Sequence, residues 1–320
     1  MLPVFIGGHP RSGTTLLGDL IGSHSECICT PESQFKISVY RRQNLQGNGV
    51  PDVRKAAKLI GKHWRFRIWG VDIAELPCGE MHSYRDLILG TVKAYANKSS
   101  RPDAGMWIDH TPANIQYADT LTELFPTARF IHLVRDGRAV AASVIPLDWG
   151  ANTIDRAAHS WREHVLYGTS AEASLGDERI LRVRFEDLIQ QPHNTLERIC
   201  LFLHLQYQPR MTQGGGFKVP GYTTGQHSLL GKEPDAERAH AWRKKLTSRQ
   251  IEIFESIAGE LLSSLGYPLT FGNSARKMNG MDKIVSGIRE MYKGKIANKF
   301  RRHERKKRAL QLPEDNNWKG

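Results

Sequence analysis

The sequence predicts an α/β fold: a P-loop-type central parallel sheet flanked by helices, in a single domain with a basic helical tail at its C-terminal end. Three observations carry this prediction. Short apolar runs alternate with stretches of helical periodicity. The first run, PVFI, leads into a glycine-rich turn and then a helix. Polar clusters follow the apolar runs, at the strand ends where parallel sheets bind their ligands.

The elements follow in order. PVFIGG is the first strand, and TTLLGDLIGS continues it as a helix, with Leu16, Leu17, Leu20 and Ile21 at helical spacing. The stretch 36–100 is mostly helical in pattern, with polar breaks near 46–51 and 97–103. MWIDHTP, ARFIHLV (128–134) and RILRVRF (179–185) are three further strands, making four in all. EDLIQQPHNTLERICLFLHL gives a turn and a helix with Leu196, Ile199, Cys200 and Leu203 on one face. Residues 208–236, rich in Gly, Pro and Ser, form a long loop with TQGGG as its most flexible part. Thr247 then caps a helix that stops at Gly266.

Composition narrows the class. The chain has 320 residues and is 40% hydrophobic, which suits one globular domain rather than disorder. No run of 18 apolar residues exists, and MLPVFIGGHPRSG lacks the charged start and apolar core of a signal peptide. A cytoplasmic location is expected, either free or peripheral on the inner membrane face. Cys27, Cys29, Cys78 and Cys200 have no C-x-x-C spacing, so free thiols are expected rather than zinc or a disulfide framework. Of the net charge of +12, most sits in residues 275–320, which hold 14 Lys/Arg against 5 Asp/Glu. The expected division is a domain over 1–274 and a basic amphipathic tail over 275–320. In the tail, Met278, Met281, Ile284, Val285, Ile288, Met291, Tyr292, Ile296 and Phe300 recur at three- and four-residue spacing. Such a helix either packs on its own domain, the favoured reading, or contacts an anionic membrane through 278–308. Nucleic acid is not expected as a partner, because the aromatic–basic interleaving of known modules is absent.

The chemistry centres on GGHPRSGTTLL. Gly8 and Gly13 have P-loop spacing and Thr15 fills the hydroxyl position, but Thr14 stands where a P-loop has lysine. That lysine bridges the terminal phosphates of a nucleoside triphosphate, so ATP or GTP hydrolysis is disfavoured. The backbone N–H groups from Ser12 and Gly13 through Thr14, Thr15 and Leu16 still suit a polyanion, and Arg11 supplies a positive charge. A metal is not needed. HLVRDGRAVAAS places Arg135 directly after a strand and Ser143 eight residues on. An arginine fork with a hydroxyl suits a second phosphate.

PRSGTTLL followed by LVRDGRAVAAS resembles the sulfotransferases that use 3′-phosphoadenosine 5′-phosphosulfate (PAPS). RFEDLIQQPHNTLERICLFLHL and KEPDAERAHAWRKKLTSRQIEIFESIAGELLSSLGY are similar to later segments of that family. The resemblance spans roughly residues 3–267 and is nearest to the Golgi-type and bacterial branch, protein-tyrosine and glycan sulfotransferases included. It implies PAPS as donor, 3′-phosphoadenosine 5′-phosphate (PAP) as product and a hydroxyl-bearing acceptor: a glycan, a peptide or a small molecule. It assigns the first motif to the 5′-phosphosulfate and the second to the 3′-phosphate. It also makes Glu32 the general base, which otherwise reads as a surface carboxylate. His110 stands where many relatives have lysine, and is open among a hydrogen bond to the bridging oxygen, a base and a structural role; Asp109 could orient it. Phe185 replaces the usual tyrosine and would pack near the adenine. Lys232 and Ser228, with Arg238, are candidates for a loop ending near Trp242 that closes over the cofactor, or are solvated loop polarity. Two rival classes remain: a P-loop-like small-molecule kinase, and a non-catalytic, membrane-associated nucleotide-fold binding protein.

Overall fold

A computed structural model describes residues 1–44, 52–218, 239–301 and 303–304. A parallel sheet of five strands forms the centre: β1 (Leu2–Gly7), β2 (Cys27–Thr30), β3 (Met106–Asp109), β4 (Arg129–Val134) and β5 (Ile180–Arg184). Their order is β2-β3-β1-β4-β5. Four of them coincide with the expected strands. The fifth, β2, was not expected. CICT is only four residues long and all four are buried, so it shows no alternation. Its pairing with β3, from Cys27 beside Met106 to Thr30 beside Asp109, is what makes it a strand.

Helices cover both faces. Along β1 the side chains alternate between them. Phe5 enters an aromatic cluster with Trp107, Phe125 and Phe130, at ring-centroid distances of 5.4, 5.6 and 5.5 Å. That cluster lies beneath α2 (Phe35–Asn44), α3 (Val53–Gly61), α4 (Trp64–Arg67), α5 (Tyr84–Lys98) and α6 (Ala118–Leu124). Val4 and Ile6 point the other way, into a core with α1 (Thr14–Gly22), α9 (Phe185–Gln190) and α10 (Pro192–Leu203). Leu196, Ile199, Cys200 and Leu203 are buried there, as their spacing required.

A third core joins α7 (Gly137–Val144), α8 (Ile154–Leu175) and α11 (Ser248–Ser264). Thr247 and Gln250 close a reciprocal capping box on α11, and Gly266 ends it at φ +78°. Buried Arg138 ties this core together. Its guanidinium grips Asp136 with two bonds, of 3.0 and 2.8 Å, and reaches Glu255 at 2.6 Å. It also lies over the Trp242 ring at 4.2 Å. Trp242 is thus a core residue beneath an ion pair.

The tail begins with α12 (Gly280–Glu290), continued by π-helical bonding over Met291–Ala297. Met278 packs on the third core. Beyond it the helix meets its own domain through its polar face, and the apolar stripe takes no part in the contact. Ser286 donates to Asp155, and Glu290 accepts from the Asn152 backbone and side chain, with bonds of 2.7, 3.0 and 2.9 Å. Among the described residues no helix is long and apolar enough to cross a membrane. The four cysteines are free.

Removing one member of a buried ion pair leaves the other charge uncompensated. Arg138→Met should therefore cost about 3–5 kcal/mol in denaturant unfolding. Adding Asp136→Asn and Glu255→Gln should recover much of that loss. A single variant as stable as the parent would show that the network carries no stability.

Candidate active site

β1 and β4 are neighbours, yet the chain leaves them in opposite directions along the sheet, so their ends flank a crevice at a topological switch point. Two glycines bring the strand ends close. A Cβ on Gly7 would lie 2.4 Å from the Ile115 nitrogen, and one on Gly8 would lie 2.3 Å from the Leu133 oxygen. The loop then turns through Arg11 at φ +75° and Gly13 at φ +101°, and α1 begins at Thr14. The first-turn N–H groups of Thr14, Thr15 and Leu16 have no intrahelical acceptor and point out of the helix start. Ser12 is buried, its amide bonded to His9 O at 3.0 Å.

The second motif meets the first directly. Arg135 Nη1 donates to the Arg11 carbonyl at 2.9 Å, and Arg11 Nε donates to Ser143 Oγ at 3.1 Å. Arg135 lies over the Phe185 ring at 4.2 Å, and the same ring fills the space beside Gly13. Arg135 Nε is buried without a hydrogen-bond partner among the described residues. Burial lowers the pKa of Arg11, and burial together with the Arg11 charge lowers that of Arg135 to about 10. The first turn of α9 opposes this repulsion. Glu186 accepts from the Asp136 amide at 3.0 Å and from the Tyr267 hydroxyl at 2.9 Å, which fixes the turn carrying Arg135. Two cations side by side in a partly desolvated crevice, with a row of amides below, have the chemistry to receive a polyanion.

The other half of the site lies at the ends of β2 and β3. His110 is 2% exposed, and neither ring nitrogen has a partner among the described residues. Burial lowers its pKa despite the nearby charges of Glu32, Asp109 and Asp19, so the ring is neutral at pH 7. Gly18 of α1 packs beneath it, and the Phe217 ring meets it edge-on at 4.8 Å. Glu32 is held by Arg65 of α4 at 2.8 Å and by Gln34 at 3.2 Å. Asp109 does not orient His110. It accepts instead from Lys36 Nζ at 2.6 Å, from the Thr111 amide at 2.9 Å and from the Ser33 hydroxyl. Burial alone would raise the Asp109 carboxyl, but Lys36 and the hydroxyls of Ser33 and Thr111 hold it below the usual carboxylate range.

TQGGG is the reverse of a flexible tip. Asp19 of α1 accepts from the Gly215 amide at 3.2 Å and the Phe217 amide at 2.8 Å. A Cβ on Gly216 would fall 2.0 Å from the Gly22 carbonyl carbon, so the glycines permit close packing. This contact sets Phe217 against His110. Ser228, Lys232 and Arg238 lie outside the described residues.

Sequence reasoning missed Lys36, Asp19, Arg65, Glu186 and His9. Asp19 had a readable signal, as the lone charge in TTLLGDLIGS, whereas Lys36 shares its helix with Arg41 and Arg42. His9 had none. It is buried beside Ser160 and His164, with ring contacts at 3.1 and 4.6 Å.

These features define an α/β protein of the P-loop type in which two arginines, and no loop lysine, stand above the start of α1. The chain belongs to the sulfotransferase family, whose model matches residues 3–209. It is 26% identical over 216 residues to protein-tyrosine sulfotransferase A of Caenorhabditis elegans, covering 65% of this chain and 51% of that one. Against the Drosophila melanogaster protein-tyrosine sulfotransferase it is 24% identical over 276 residues, covering 82% and 51%. The chain thus spans about half the length of these curated relatives. Its fold is shared with the sulfotransferase domain of the Synechococcus PCC 7002 olefin synthase. The TM-score is 0.61 at 20% identity, over 84% of this chain and 95% of that domain.

His9 makes the loop acid-sensitive. Burial first, then the His164 charge, lowers its pKa from 6.5 to about 3. The unfolded chain therefore takes up the proton first as pH falls from 6.5 to about 3, and stability falls with it. The slope from this group is at most about 1.4 kcal/mol per pH unit. His9→Gln should flatten the profile of unfolding free energy against pH in that window. An unchanged slope would remove His9 as its source.

Proposed function

We propose that this chain is a sulfotransferase that moves a sulfuryl group from PAPS to a hydroxyl-bearing acceptor and releases PAP. The observation that carries this reading is the joining of Arg11, Arg135 and Ser143 above the start of α1, in a loop without lysine. The residues fit a ligand with two anionic groups. The unpartnered Arg135 Nε and the mutual repulsion of the two arginines are both relieved by bound negative charge. Arg11 and the amides from Gly13 to Leu16 would hold the 5′ group, beside Ser12, whose own amide is bonded to His9, and Arg135 with Ser143 would hold the 3′-phosphate. When bound, PAPS supplies an activated sulfuryl group on a phosphate leaving group. Protein-tyrosine sulfotransferases are among the relatives, so tyrosyl peptides are the first acceptors to try, followed by glycans and small hydroxyl compounds.

The protein must position the reactants, remove one proton and steady the leaving oxygen. Glu32 is assigned the proton. Arg65 fixes its carboxylate, which remains partly open to solvent, as a site for an incoming acceptor requires. Neutral His110 is assigned the leaving side, where its N–H can donate to an oxygen gaining charge. Asp109 and Lys36 hold the turn between β3 and Thr111 and so set the position of His110. The kinase reading lacks its lysine and is separated by a binding test.

PAP should raise the melting temperature in the presence of a chelator, whereas ATP with magnesium should not. Stabilisation by ATP alone would favour the kinase. Arg135→Ala should weaken PAP far more than adenosine 5′-monophosphate. Equal losses would detach Arg135 from the 3′-phosphate.

Two further variants divide the catalytic roles. Glu32→Gln should lower turnover by about two to four powers of ten with little change in PAP affinity. His110→Lys should retain appreciable activity, because a lysine can also stabilise a leaving oxygen but, protonated at neutral pH, is a poor base. An active Glu32→Gln beside an inactive His110→Lys would transfer the base to His110.

A further inference from the structure

The tail helix is mounted with its apolar face outward. Met281, Ile284, Val285, Ile288, Met291 and Tyr292 are each 55–68% exposed. Their spacing of three and four residues places them on one face across three turns. Phe300 extends the row at 71% exposed. Single exposed apolar side chains are ordinary, but a contiguous row of six is not. The opposite face is fastened to the body by Ser286 to Asp155 and by Glu290 to Asn152 and Thr153. Arg249 adds a further tie to Asp282 at 2.6 Å. The outward face is thus fixed by the polar contacts and is not a frayed end.

We propose that this face docks the protein on an anionic lipid surface, with the helix lying in the plane of the headgroups. Charge selects the occupant. Exposed Lys283, Arg289, Lys299 and Arg301 accompany the apolar row, and the sequence runs on through RRHERKKR at 301–308. Apolar side chains inserted at the headgroup boundary, with cations beside them, suit a membrane bearing phosphatidylserine-like or other anionic lipids. A second copy of the chain would bring the same basic segment against itself, and this like-charge contact opposes self-association. The proposal does not depend on the sulfotransferase reading, since no residue of the crevice takes part.

Vesicle sedimentation with the full chain tests it. The protein should pellet with equimolar phosphatidylcholine–phosphatidylserine vesicles and stay in solution with phosphatidylcholine alone. Added salt should weaken the binding by screening. Ile284→Glu with Ile288→Glu, and separately Lys283→Glu with Arg289→Glu, should each reduce partitioning by about tenfold or more. The melting temperature should hold in both pairs, because all four side chains are exposed. Equal binding to both vesicle types, binding to neither, or binding unchanged by the Ile pair would overturn the proposal. So would a lipid-free dimer, detected by analytical ultracentrifugation, that the Ile pair abolishes.

Discussion

The structure depends on keeping two arginines side by side at the mouth of a buried crevice. Arg135 donates to the carbonyl of Arg11, and Arg11 donates to Ser143, so the two motifs form one unit. Like charges in a partly desolvated place repel strongly. The fold opposes this with carboxylates. Glu186 and Asp136 lie behind Arg135, and Asp136 is fixed in turn by Arg138. The third core is built around that last pair, with Glu255 and Trp242 on either side of the guanidinium. The packing of α7, α8 and α11 is thus coupled to the placement of Arg135. Glu186 sits in the first turn of α9, so the strand end after β5 contributes to the same arrangement.

The remaining half of the crevice has a different electrostatic character. Its cation, Lys36, is buried and already engaged by Asp109, Ser33 and Asn114. Its imidazole, His110, is neutral, and its carboxylate, Glu32, is paired but partly open. Positive potential therefore concentrates on the side of β1 and β4, and a proton acceptor and a neutral donor face it from β2 and β3. An anion drawn to one side meets polar groups from the other. This division needs no side chain in an unusual ionisation state except the neutral histidine, which burial accounts for.

The tail obeys a different constraint. A basic amphipathic helix lowers its free energy by burying its apolar stripe, and packing on the parent domain is the ordinary solution. Here the complementary partners on the body are Asn152, Thr153 and Asp155, all polar, and they take the polar face. The apolar stripe is left outward by the chemistry of the surface beneath the helix.

The sequence by itself determined the layout of the site. Strand, glycine turn and helix follow from apolar runs, backbone demands and periodicity, all of which are local. The absent lysine, Arg11, Arg135 and Ser143 were legible for the same reason, as was the cap at Thr247. The tertiary structure decided what local pattern cannot encode. Four-residue β2 exists because β3 offers it a partner. TQGGG is rigidly placed because Asp19, nearly two hundred residues earlier in the chain, binds its amides. Asp109 serves Lys36 of α2 and not the adjacent His110, because the chain leaves β3 there and His110 packs on Gly18 of α1. The outward stripe of the tail was visible as a period, but its direction was set by polar groups on α8 and the turn before it. Periodicity fixes which residues share a face. Only the surface that a face meets determines whether it is buried.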